Sequence, residues 1–467
     1  MWLLAIAVFT LSLCVCCGAE AAVAPEPALG PDGTRAPRGA FTVRLRRQLI
    51  PLHSSEGSVH HKSAYYGEVS IGGPDAQPFQ VVFDTGSGHL ILPSALCRTE
   101  TCLEHRRYRR RISRFAQEID ANGAVVNPWQ PRDQITVSFG TGEVTGVFVR
   151  DQVCLGPVES AGGGATQAPP PGAVGSPGGG PGVNGTWEAL QAPPAGHGCV
   201  ELRLISATHM TQDPFASFAF DGVLGLGLQS LSQAAPFNFM TAAVDGGSWP
   251  GQVPAVASVF AVFLGRESGE ESEITFGGWR AERVLDGASG FAWCDVRDAG
   301  DGYWQLEVHG ISVVEPNGQR RELDFCADGE CRAIVDTGTS LLGVPSELGV
   351  QLADMLRHRP SPGGGCGGPG PELEVDLGGF AVRLGPEDFS RPDIEAHEDA
   401  EGSDEAVEGC VPMLMYIDLP PPMSPRTLIL GEPVLQKYYT AFDTAGPRVG
   451  FVLAKHAAPD ASLHISL

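Results

Sequence analysis

The sequence predicts an all-β protein folded as two lobes. Three observations carry that expectation. Long helical periodicity is rare, while short apolar runs bounded by Gly, Pro and Asp are frequent, in a chain with 61 Gly and 38 Pro. At 467 residues and 42% hydrophobic content, the chain is long enough to bury two cores. One triplet, Asp-Thr-Gly, stands in the front half as Asp84-Thr85-Gly86 and in the back half as Asp336-Thr337-Gly338.

Each triplet follows an apolar run, Val81-Val82-Phe83 or Ala333-Ile334-Val335, and each is continued by hydroxyl residues, Ser87 or Thr339-Ser340. A strand ending this way makes a tight loop. Its Gly lets the backbone turn and its Asp projects from a rigid base. Two such loops face to face bring two carboxylates into one cleft. Close carboxylates do not both ionise easily, so they share a proton. One then serves as acid and the other as base, which is the chemistry that adds water to a peptide carbonyl. A single triplet is weak evidence, as the near miss Asp443-Thr444-Ala445-Gly446 illustrates. Two copies in matching strand context are strong evidence, and two unrelated turns in a large β protein are the weaker reading.

Along the chain, residues 1–22 read as a signal peptide. The apolar stretch from Met1 to Leu11 is too short to span a membrane, and small residues follow it. It lacks the usual basic start, which leaves a membrane anchor as a minor alternative. No other segment is suited to cross a bilayer. The protein is therefore expected to be secreted or to lie in the lumen of an endomembrane or acidic compartment.

Residues 23–61 read as a leader and possible pro-segment. Pro25 to Gly39 has the composition of a disordered stretch. The basic, alternating segment Phe41 to Leu52 fits a cover over an acidic cleft, or else the first strand of the mature fold. Within it, Arg44-Leu45-Arg46-Arg47 fits a processing site. Residues 62–264 form the expected N-terminal lobe, with a Gly/Pro-rich insertion at 156–198 that holds the sole glycosylation sequon, Asn184-Gly185-Thr186. Residues 265–455 form the C-terminal lobe, with a flexible, acidic insertion at 360–409, and 456–467 is a tail. The run from His105 to Arg111 carries five arginines and reads as a solvated charged face or a docking patch.

The chain has 12 Cys, of which Cys14, Cys16 and Cys17 leave with the signal. Spacing suggests the disulfides Cys97–Cys102, Cys326–Cys331, Cys366–Cys410 and Cys154–Cys199, the last bracketing the first insertion, with Cys294 left free. No cluster of His or Cys accompanies the Cys pairs, so disulfides in an oxidising compartment are expected and no metal. The net charge of −24 argues against a nucleic-acid partner. It suits work in acid, and equally it suits simple solubility.

Taken in order, these motifs resemble the pepsin-like aspartic endopeptidases from about residue 64 to 455. Tyr65-Tyr66-Gly67 opens the first lobe and Phe83-Asp84-Thr85-Gly86-Ser87 follows. Ile135 to Gly142 resembles the flap hairpin, and Phe220 to Gly227 the strand that closes the first loop. Gly302-Tyr303-Trp304, the second triplet, and Leu428 to Leu435 with Tyr438 to Asp443 belong to the second lobe.

The resemblance implies a bilobal all-β fold with pseudo-twofold symmetry and a cleft between the lobes. In it Asp84 and Asp336 polarise the attacking water, Asp336 as the ionised base and Asp84 as the protonated acid, titrating as a pair. It implies that Thr85 and Thr337 bond across the lobes. Ser87 and Thr339 donate to the carboxylates, and Gly86 and Gly338 let backbone amides approach them. The flap residues Phe139, Gly140 and Thr141 and the facing Ile91 contact substrate. Asp443 is placed in a structural strand.

Two departures from the family pattern occur together. Phe139 stands where the flap has Tyr, and Ile91 where its Trp partner stands. Losing both polar partners can be nearly neutral, whereas losing one strands a buried polar group at about 1–3 kcal/mol. His89 stands where Asn is common and reads as a neutral, surface-side variant.

The leading reading is an aspartic endopeptidase acting as a monomer on extended polypeptides with apolar residues flanking the cut, with no cofactor. The alternative is a catalytically weak or inactive pepsin-fold binding or inhibitor protein. Such proteins usually alter one triplet, and here both are intact. A structural wall protein would explain the Gly/Pro loops but not the triplets.

Overall fold

The computed structural model describes residues 40–53, 59–73, 76–127, 129–139, 142–155, 199–245, 258–267, 269–362, 365–393, 409–420 and 423–457. The expected signal peptide, the insertion with Asn184, the expected flap residues Gly140 and Thr141 and the acidic run 394–408 lie outside the described residues.

The architecture is mostly β and bilobal, as expected. In the first lobe the strand Gln77–Asp84 runs parallel to Gly222–Gly225, with Asp84 opposite Gly225. Leu90–Pro93 pairs antiparallel with that same strand and parallel with Cys199–Met210. All four residues of Leu90–Pro93 are buried, which explains a continuous apolar run in place of alternation. The second lobe repeats the plan. Arg332–Val335 runs parallel to Thr427–Leu430, and Leu342–Pro345 pairs antiparallel with Thr427–Leu430 and parallel with Leu414–Ile417. In both lobes the chain leaves one strand at the Asp, turns, and returns on the far side of a shared neighbour. Each Asp loop is thereby pinned at both ends.

Among the described residues, one 14-stranded sheet joins the lobes. The strand Phe41–His53 lies in its middle. Residues Phe41 to Leu45 pair with Phe276 to Ser272 of the second lobe, and the rest pairs with the strand Val59–Ile71. The basic segment is thus seated in the sheet, with Val43 and Leu45 buried and Arg44 outside, bonded to Glu271 at 3.0 Å.

The lobes also share an aromatic core. Phe260 stacks on Phe442 at 4.8 Å, and Trp304 packs edge-on against both. Trp304 is fully buried, and its Nε1 donates to Leu226 O at 2.9 Å. Truncating a buried Trp costs about 3–5 kcal/mol before any lost hydrogen bond is counted.

The disulfides are Cys97–Cys102, Cys154–Cys199, Cys326–Cys331 and Cys366–Cys410. Cys154 and Cys199 face each other across an antiparallel pair at the root of the 156–198 insertion. Closing such a loop stabilises chiefly by restricting the unfolded chain. Cys294 is free and buried, and burial pushes its thiol pKa up to about 11. Among the described residues no helix is long and apolar enough to cross a membrane.

Candidate active site

The two Asp-Thr-Gly loops have matching backbone bonds. Ser87 N–H reaches Asp84 O at 3.4 Å, and Thr339 N–H reaches Asp336 O at 3.4 Å. Behind them, Gly227 N–H donates to Ser87 O at 2.8 Å and Glu432 N–H to Thr339 O at 2.9 Å. This is the symmetry expected when the same strand pattern is used twice.

The threonines lock one loop to the other. Thr85 N–H donates to Thr337 Oγ1 and Thr337 N–H to Thr85 Oγ1, each at 3.0 Å. The hydroxyls then donate onward across the lobes, Thr85 Oγ1 to Val335 O at 2.9 Å and Thr337 Oγ1 to Phe83 O at 2.6 Å. Thr85 is wholly buried, so its hydroxyl bond to Val335 O is made where water does not compete.

This brace brings Asp84 and Asp336 together. The two carboxyl groups stand side by side, since a Cβ on Gly338 would meet Asp84 Oδ1 at 2.5 Å and Asp336 Oδ1 at 3.2 Å. Gly86 N–H donates to Asp84 Oδ1 at 2.9 Å and Gly338 N–H to Asp336 Oδ1 at 2.8 Å. The glycines are required by space: a Cβ on Gly86 would stand 2.9 Å from Asp336 Cγ, and one on Gly338 would stand 2.5 Å from Asp84 Oδ1. Thr339 Oγ1 donates to Asp336 Oδ2 at 2.5 Å. Burial, and then the negative charge of Asp336, push the Asp84 pKa well above the ordinary carboxylate range. Ser87, the first-lobe counterpart of Thr339, opposes that rise. Its Oγ nevertheless closes no short hydrogen bond among the described residues. The hydroxyl support is therefore lopsided, with a Thr339 bond to Asp336 that Ser87 does not match at Asp84.

The flap hairpin pairs Gln134–Phe139 with Gly142–Leu155. Its first strand alternates, with Ile135, Val137 and Phe139 turned inward. The Phe139 ring meets Phe215 edge-on at 6.0 Å. Phe139 and buried Ile91 line one apolar pocket of about 20 Å³ with Phe215 and Phe218. Both partners of this flap contact are apolar, so no polar group is stranded.

Other sequence-derived candidates fall elsewhere. Asp443 ends the strand Tyr438–Asp443 and is bonded by Arg448 at 3.1 Å, away from the dyad's hydrogen bonds. His89 is neutral and more enclosed than a surface-side residue. Its Nε2 accepts from Gln233 N–H at 2.9 Å, its ring meets Phe237, and burial lowers its pKa to about 4.

Two features were not legible as site residues. Tyr303 is half-buried beside the dyad, and burial followed by the charges of Asp336 and Asp84 raises its pKa. Glu432 is buried directly behind Thr339, where Arg47 Nη2, Tyr65 OH and Gln436 Nε2 each donate to its Oε1 at 2.8 Å. Burial raises its pKa. Adjacency to the Trp304 and Gly431 motifs was the available sequence signal. The partners of Glu432 lie too far away in sequence to be inferred.

Comparison with known proteins bears on this geometry. The profile of the eukaryotic aspartyl protease family matches residues 64–164 and 178–454. Cathepsin E of Rattus norvegicus is 27% identical over 405 residues, 84% of this chain and 80% of the relative. Gastricsin of Cavia porcellus is 28% identical over 399 residues, with 84% and 80% covered. Plasmepsin VI of Plasmodium berghei (strain Anka) is 25% identical over 416 residues, with 88% and 80% covered. With its two braced Asp-Thr-Gly loops in a bilobal β fold, this chain belongs to the eukaryotic aspartyl protease family.

Proposed function

We propose that the protein is an active aspartic endopeptidase that works, after secretion or within an endomembrane lumen, on extended polypeptides. The observation that carries this reading is the juxtaposition of the Asp84 and Asp336 carboxyl groups around Gly86 and Gly338, held by reciprocal threonine bonds. Asp84, with its raised pKa, keeps the shared proton. Asp336, supported by Thr339 and the Gly338 amide, carries the charge.

Water held between them loses a proton to Asp336 as its oxygen attacks the peptide carbonyl carbon. Asp84 gives its proton to the carbonyl oxygen. The tetrahedral diol then collapses: the amide nitrogen leaves with a proton from Asp336, and a hydroxyl proton returns to Asp84. Such acid–base transfer contributes about 10²–10⁴-fold, with alignment by the rigid loops adding to it. The four disulfides support an oxidising compartment.

The test is digestion of a denatured protein library from about pH 3 to about pH 7. It is run with and without a transition-state-mimic inhibitor, beside an Asp336→Ala control. Inhibitable cleavage absent from the control is the expected result. Cleavage that persists in the control overturns the assignment.

A further inference from the structure

Behind the wall of the flap pocket lies a second concavity of about 480 Å³ that the dyad does not use. Its floor is apolar, with Ala76, Pro78, Ala95, Leu103 and Ile112, and its rim carries Arg106, Arg107 and Arg109. Leu103 and Ile112 are 55% and 41% exposed, so the apolar floor is open. The volume falls within the range of about 300–1,000 Å³ usual for ligand sites.

The arginines of this rim are held differently from several elsewhere in the molecule. Arg266, Arg283 and Arg448 are each neutralised by a carboxylate, namely Asp388, Glu273 and Asp443. Arg106 and Arg107 instead donate to backbone carbonyls, Pro78 O at 2.8 Å and Cys97 O at 3.3 Å. Those bonds fix the guanidinium groups without cancelling their charge. Among the described residues none of the three rim arginines has an acidic side-chain partner.

The loop that carries them is stiff. The Cys97–Cys102 disulfide closes one side. Arg106 N–H donates to Asp221 Oδ1 at 2.8 Å and Arg109 N–H to Gln77 Oε1 at 2.9 Å. Buried Tyr108 donates to Asp151 at 2.6 Å. An ordinary solvated basic face has neither an apolar floor nor this framework, and preorganisation of this kind lowers the cost of binding.

We infer that this groove docks an acidic polypeptide segment bearing an apolar side chain, a recognition site for substrate outside the catalytic cleft. The inference rests on the protease reading. The chemistry selects the occupant. Guanidinium forks match carboxylates, the apolar floor requires a hydrophobic side chain, and the concavity does not fit a flat lipid surface. The net charge of −24 makes an isolated positive groove a focus for negative ligands. His105 lines both this groove and the flap pocket, so the two are neighbours.

The test uses full-length Asp336→Ala protein and fluorescence anisotropy of a labelled peptide alternating Glu and Leu. Its Lys/Leu counterpart is the control. The acidic peptide is expected to bind and the basic one not. Arg106→Glu/Arg109→Glu should weaken binding about tenfold, and Arg109→Glu alone, an exposed change, should weaken it measurably. Salt at about 0.5 M should also weaken it.

Equal binding by the variants and the parent protein overturns the inference. So does tighter binding of heparin, or of phosphatidylserine vesicles, that depends on the same arginines. Cleavage of a short neutral peptide by the otherwise wild-type double variant separates the two readings. If it is cleaved normally while acidic-peptide binding is lost, both stand. If wild-type protein binds the acidic peptide but cleaves nothing, the protease reading fails and the substrate role of the groove fails with it.

Discussion

Replacing Thr337 with valine keeps the side-chain shape and removes one hydroxyl. That hydroxyl accepts from Thr85 N–H at 3.0 Å and donates to Phe83 O at 2.6 Å. Thr85 is completely buried, so its amide finds no water in the variant. An orphaned buried donor costs about 1–3 kcal/mol, and the lost bond to Phe83 adds about 1 kcal/mol. Thr337→Val should therefore lower stability by about 2–4 kcal/mol, read from urea denaturation of variant and parent side by side. The bonds that remain, Thr337 N–H to Thr85 Oγ1 and Thr85 Oγ1 to Val335 O, hold the loops on one side only. Asp84 and Asp336 then lose alignment, and kcat should fall about tenfold or more with KM little changed. A valine variant with parental stability and parental kcat would refute the claim that this brace sets the dyad.

Three further outcomes follow from the site. Asp84→Asn should abolish cleavage yet stabilise the fold at neutral pH. The raised Asp84 pKa means the folded state binds the proton more tightly, so parental stability is present in acid and lost as pH climbs above the ordinary carboxylate value of about 4. Melting temperatures of the two proteins should diverge with rising pH, and a gap independent of pH contradicts this. Gly86→Ala drives a Cβ to 2.9 Å from the Asp336 carboxyl, and kcat/KM should drop about 100-fold, so near-parental turnover would remove the spatial argument. Phe139→Tyr offers a hydroxyl to a pocket whose facing residue, Ile91, has no polar side-chain atom. Catalytic efficiency should stay level or decline, and a rise beyond about tenfold would show that the flap lacks its phenol rather than doing without it.

What could be read from the residues was whatever chemistry writes locally. An apolar strand ending in Asp-Thr-Gly specifies its own turn, so both loops were legible, as were the close Cys pairs. The paired change at Phe139 and Ile91 was visible only through resemblance, because the two residues stand on strands that do not pair with each other and come together only at the wall of one pocket. Glu432 was not legible. Its donors Arg47 and Tyr65 lie on strands from the opposite end of the chain, and no periodicity reports such a meeting. The segment Phe41 to Leu52 was ambiguous for a physical reason: alternation suits a strand, and arginines suit an acidic groove. Pairing with Ser272–Phe276 describes its place in the sheet.

That place has a bearing on maturation. A peptide-bond nick just beyond Arg47 would not by itself eject the piece before it. Five registered residue pairs with the strand Ser272–Phe276, and the Arg47 contact to Glu432, would keep the clipped fragment clasped to the body as a separate chain. Scission and departure are thus distinct events, and the second needs a competitor for the vacated edge.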